Sequence, residues 1–106
     1  MIVTTTDSID GRQITEYLGI CSGEAVIGAN VFKDMFAGIR DVVGGRAGSY
    51  EKILNEGKQN AISDMAEQAD KWGATAIVGV DIDYEVLGKE NGMMMVVANG
   101  TAVKLG

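Results

Sequence analysis

The stretch YEKILNEGKQNAISDMAEQADKW, residues 50–72, decides the fold. Tyr50, Leu54, Gly57, Ala61, Met65, Ala69 and Trp72 recur at steps of three or four, while Glu51, Lys52, Lys58, Gln59, Asp70 and Lys71 fall between them. Side chains spaced this way share one face of a helix, so the period predicts one long amphipathic helix over Tyr50 to Trp72. Ser49 precedes it as a candidate N-cap, and Gly73 follows where a left-handed stop is expected. Because the apolar stripe contains Gly57, Ala61, Ala66 and Ala69, the helix should lie close against a sheet.

That sheet is predicted on both sides of the helix. Downstream, Ala76 to Leu87 alternates, with Val78, Val80, Ile82, Tyr84 and Val86 expected to face the helix and Ile77, Gly79, Asp81, Asp83 and Glu85 to face away. Gly88 to Gly92 has hairpin length, and Met93 to Leu105 returns as an antiparallel strand. Pairing Leu87 with Met93 sets Val80 beside Gly100, Ile82 beside Ala98 and Tyr84 beside Val96 on the inner face, with Asp81 beside Asn99 and Gly79 beside Thr101 on the outer one. The outer face then mixes Ile77, Met93, Met95, Val97 and Val103 with three carboxylates. Such a face is too apolar for free solvation and too charged for an intramolecular core, so a subunit interface is expected there.

Upstream, Ile2 to Thr5 reads as a terminal edge strand, and Arg12 to Val31 as one long strand with a bulge or break near Gly23. Val31, Met35, Phe36 and Ile39 have the spacing of a short helix, which leads into a glycine-rich hinge running from Ile39 to Lys52. The fold class is therefore α+β: one long helix packed on a small mixed sheet, plus a short helix before the Gly-rich loop. A chain of 106 residues is the length of a single domain, here residues 1–106, near the size at which self-association commonly supplements a small core.

Composition excludes several functions. A formal charge of −6 and scattered lysines and arginines repel an extended phosphate backbone, so no nucleic-acid partner is expected. The longest apolar run, Met93 to Ala98, is far short of the ~20 residues of a spanning helix, and no membrane partner is expected. With one cysteine and no basic, apolar leader, the expected compartment is the cytoplasm.

Three sets of residues carry candidate chemistry. Arg40, Arg46, Ser49 and Tyr50 surround Gly44, Gly45 and Gly48 at the start of the long helix, where free amides and guanidinium groups suit an anion or small ligand. The competing structural reading pairs both arginines with Asp34, Asp41 or Glu51. Asp81, Asp83 and Glu85 offer oxygen donors to a hard cation, but alternate residues of a strand stand ~6.5–7 Å apart, so few can converge within one chain. Cys21 and Met93 to Met95 offer sulfur, although Met94 must point away from its two neighbours, and packing is the ordinary role of all four. No catalytic residue is assigned and no cofactor is identified, because the chain has no histidine and no nucleophile–base pattern.

The segments Gly28-Ala29-Asn30, Ile39-Arg40-Asp41, Gly44 to Lys52, Ala76 to Glu85 and Gly100 to Val103 together resemble the YbjQ-like proteins over almost the whole chain. These are small, uncharacterised bacterial and archaeal proteins that carry a heavy-metal-binding label. The resemblance implies a β-α-β-β subunit of the dodecin-like class, a ring-shaped homopentamer and no established reaction. It leaves three expectations: a homo-oligomeric scaffold or small-ligand-binding assembly, a metal-binding protein with carboxylate or Cys21 sites at subunit boundaries, or an enzyme with an interfacial active site.

Overall fold

The computed structural model describes residues 1–31, 48–88 and 92–106. Four strands and one long helix follow in the order β1 (Ile2–Val3), β2 (Ile14–Ile27), α1 (Gly48–Lys71), β3 (Ala76–Leu87) and β4 (Met93–Leu105). The sheet order is β1-β3-β4-β2, with β1 parallel to β3 and the other pairs antiparallel. β4 therefore enters between β2 and β3, which the helix connects, giving a split β-α-β unit on a mixed sheet. The expected short helix falls mostly on residues outside those described; residues 29–31 are helical.

The long helix stops where the sequence says it should. Gly73 has a φ of 81°, the Ala74 amide donates to the Ala69 carbonyl (3.1 Å), and the Gly73 amide donates to the Asp70 carbonyl (3.0 Å). These two bonds make a Schellman motif, which satisfies carbonyls that the helix cannot pair internally. At the other end the helix begins at Gly48, so Ser49 lies inside its first turn and not ahead of it. Ala61, Met65 and Ala69, each four residues from the next, are fully buried, whereas Trp72, the last residue of the expected stripe, is half-exposed.

α1 lies over β2 and β4 and barely touches β3. Its small residues allow a close approach, and the tightest point is Gly23: a β-carbon there would collide with the Ala61 carbonyl and the Met65 amide. Gly23 is thus the contact between strand and helix backbones, not the predicted bulge. The bulges of β2 fall earlier, between Ile14 and Glu16 and between Tyr17 and Gly19.

A second correction concerns β3. From Leu87 to Asp81 the register is the expected one, with Leu87 opposite Met93, Tyr84 opposite Val96, Ile82 opposite Ala98 and Asp81 opposite Asn99. Between Asp81 and Val78 one extra residue is inserted, so Thr101 lies opposite Val78 and not Gly79. Gly79, with a φ of 61°, supplies the left-handed conformation that this kind of bulge requires. Everything before it changes face. Ile77 joins Val80 in the core beneath the helix, together with Cys21, Ile27, Val96, Ala98 and Ala102, and Val78 turns to the opposite side.

On that opposite side Val78, Ala76 and Val103 are buried with Ile9, Ile14 and Leu105 packed against them. Ile9 is brought there by a turn closed by the Arg12 amide on the Ile9 carbonyl (3.2 Å). The outer face therefore holds a small core of its own at one end, contrary to the expectation that its charge forbids one. The carboxylates are at the other end, downstream of the bulge, which is why the two do not conflict.

Candidate functional site

The outer carboxylates owe their position to the bulge. After Gly79 the two-residue period of β3 places Asp81, Asp83 and Glu85 on the outer face, opposite the uncharged residues Asn99, Val97 and Met95 of β4. Among the described residues, β4, the strand paired with this half of β3, sets no cation opposite the row. Asp83 responds accordingly: its carboxyl is raised above its ordinary value, first by a hydrogen bond with Asp81, then by the charge of Asp81, then by desolvation and by Glu85. All three side chains are accessible to water except where they crowd one another.

Cys21 is on the other side of the sheet. It is fully buried under α1, and its thiol donates to the Gly100 carbonyl at 3.5 Å. Burial pushes the thiol up, against a smaller lowering by a backbone hydrogen bond. A metal ligand or nucleophile must be a thiolate, so this environment favours an inert packing group. Cys21 and the three carboxylates are separated by the thickness of the sheet and do not form one site.

Arg40 and Arg46 lie outside the described residues. Ser49 and Tyr50 fall in the first turn of α1, and the anion site expected around them involves the Gly-rich loop, which also lies outside those residues. Among the described residues no group of three or more His, Cys, Asp or Glu is placed to hold a metal ion. Within one chain, then, the donors described do not fit a heavy-metal centre: the one thiol is protonated and buried, and the carboxylates are hard donors strung along a strand.

Two features escaped the sequence reading. A cleft of about 360 Å³ between α1 and β2 is lined by Ser22, Asp64, Gln68, Lys71 and Trp72, among others. Along it, the backbone amides of Ser22 and Glu24 donate to Gln68 Oε1 (2.9 Å) and Asp64 Oδ2 (3.1 Å). β2 is an edge strand, and these side chains, four apart on the helix, pair amides that would otherwise be free. Their i, i+4 spacing is visible in sequence, but its meaning depends on how far the helix leans toward the edge. A second cleft, about 340 Å³, lies between Ile27 and Gly28 on one side and Ile53 and Gly57 on the other, and is more apolar. No helix among the described residues is long and apolar enough to cross a membrane.

The same fold occurs in a crystal structure from Pediococcus pentosaceus, of a protein of unknown function in the DUF74 family. It superposes with a TM-score of 0.64, at 17% identity, over 100% of this chain and 98% of the other. At that identity the likeness speaks for the fold alone. The family model for YbjQ-like proteins, whose description reads "putative heavy-metal-binding", matches residues 1–106. Matched from end to end, with the helix, the mixed sheet and the two-faced β3 in place, the chain belongs to the YbjQ-like family.

Proposed function

We propose that this chain is the subunit of a homo-oligomeric assembly, a cytoplasmic single-domain scaffold or small-ligand binder, with five copies in the ring that the family resemblance implies. One observation carries the reading: on the outer face of β2, Tyr17, Ile20 and Val26 are 71%, 79% and 59% exposed. They stand on one face of one strand, with Ser22 and Glu24 between Ile20 and Val26, and Met95 and Val97 are half-buried beside them on β4. Copies in a ring would seat this row against a different face of the neighbouring copy and so bury apolar surface at ~25 cal/mol per Å².

Light scattering at micromolar concentration tests the proposal. The expected mass is a multiple of 11.2 kDa, near five-fold, and the double substitution Ile20→Lys with Val26→Lys should reduce it. A wild-type protein that scatters as a single chain would overturn the reading. The metal-binding alternative rests on the family description and requires donors gathered from several copies. Native mass spectrometry after exposure to zinc, copper(I) or cadmium, with Cys21→Ser as the control, measures it directly.

A further inference from the structure

The exposed apolar side chains of the sheet fall into two unlike sets. Tyr17, Ile20 and Val26 stand on the outer face of β2, whereas Tyr84 and Val86 of β3, 46% and 57% exposed, are on the helix side. The second set is uncovered because α1 lies over β2 and β4, with its flank reaching to the β2 amides through Asp64 and Gln68. A head-to-tail contact, in which one surface meets a different one on the next copy, can bury both sets at once.

The strand register gives each set its height along the sheet. Ala25 and Tyr84 are both opposite Val96, and Ile27 and Val86 are both opposite Met94. β2 and β3 run in the same direction on the two sides of β4. Rotation about an axis along the strands leaves that height unchanged and keeps helix side next to helix side. It therefore carries Tyr84 and Val86 of one copy to the height of Ala25 to Ile27 of its neighbour, on the side where the neighbour's α1 lies.

The more apolar cleft, of about 340 Å³, is at that height and on that side. Ala25, Val26, Ile27, Ile53 and Gly57 line it, and Glu56 and Asn60 supply its polar groups. An apolar hollow with a few polar groups suits a tyrosine, which has an apolar ring and a hydroxyl that needs a partner when buried. Val26 belongs both to this cleft and to the exposed face of β2, so the cleft continues the surface assigned to self-association.

We infer that Tyr84 and Val86 of each copy enter the cleft between β2 and α1 of the next copy. The inference rests on the ring proposed above and names its second surface. The contact is made by side chains and not by strand addition at the middle of β2, because Gln68 and Asp64 occupy the amides of Ser22 and Glu24.

The test places the photoreactive residue p-benzoylphenylalanine at position 84, which keeps an aromatic ring there, and irradiates a mixture of isotopically light and heavy copies. Mass spectrometry separates links between copies from links within one. Links between copies are expected, landing in residues 25–31 or 53–60. Light scattering on the unmodified protein is run alongside. If it shows an assembly while the links fall elsewhere, stay within one chain or do not form, the inference is overturned and the ring reading stands. If it shows a single chain, the ring reading fails and takes the inference with it. The variant Tyr84→Lys with Val86→Lys, at two exposed positions and checked for an unchanged circular dichroism spectrum, should drop the scattered mass toward 11.2 kDa. An unchanged assembly mass in that variant would also overturn the inference.

Discussion

Gly23 and Gly79 sit in strands and have opposite reasons for being glycine. At Gly23 there is no room, because a β-carbon would meet helix backbone, and backbone cannot rotate aside as a side chain can. Gly23→Ala should therefore lift α1 from the sheet and cost about 3 kcal/mol, read as a lower urea midpoint. At Gly79 there is room, with only Asp7 Oδ1 at 4.0 Å among the described residues, but the φ of 61° penalises a side chain by about 1–2 kcal/mol. Gly79→Asn should recover part of what Gly79→Ala loses, whereas Gly23→Asn should be worse than Gly23→Ala. Sequence shows that both strands contain glycine and that such glycines mark bulges or close approaches. It does not show which, since one depends on local φ and the other on a helix forty residues away, and for this reason the bulge was expected at Gly23. Asp83 gives a prediction of a different kind. Its carboxyl is raised in the folded chain, so its contribution to stability is complete below the ordinary aspartate value of about 3.9 and is lost as pH rises through the folded value. At pH 7 the ionised row is unfavourable, and Asp83→Asn should raise Tm there, with the advantage shrinking toward pH 3 in a series of thermal melts.

Among the elements, α1 serves as both cover and edge guard. The face carrying Ala61, Met65 and Ala69 packs on the sheet, and the flank carrying Asp64 and Gln68 reaches past it to the amides of β2. Replacing both with alanine should cost about 1 kcal/mol per lost bond and open β2 to strand addition. The measurable consequence is faster exchange at Ser22 and Glu24 and concentration-dependent turbidity. The helix was legible because a 3.6-residue period over six turns has few alternatives, and its C-terminal stop because Gly73 is the residue that the motif needs. The β3–β4 register was legible from the hairpin up to Asp81 and then failed, because the alternation of Ala76 to Leu87 reads equally well in either phase and only the inserted residue at Gly79 decides that Ile77, not Val78, lies under the helix. The candidate site was less legible than the fold. Arg40 and Arg46 depend on the Gly-rich loop, outside the described residues, and Asp81, Asp83 and Glu85 are on the expected face but, among the described residues, join no group of three or more His, Cys, Asp or Glu placed to hold a metal ion. The capping pair was missed because polar residues on a helix flank read as solvated unless the neighbouring edge is known.

As a whole, the described residues make two layers, one long helix on one sheet, and among them much of the reverse of that sheet is left uncovered in a single copy. If copies cover the β2 face, folding and assembly are linked, and Tm should rise with protein concentration across a hundred-fold dilution series in calorimetry. A constant Tm would mean that the exposed row of β2 has no role in stability. The two-layer arrangement has another consequence, at Cys21. With one cysteine in the chain and its sulfur sealed between helix and sheet, the protein carries its own timer: a thiol-reactive dye added in excess can label it only after α1 has lifted, so the rate of labelling clocks the opening of that layer.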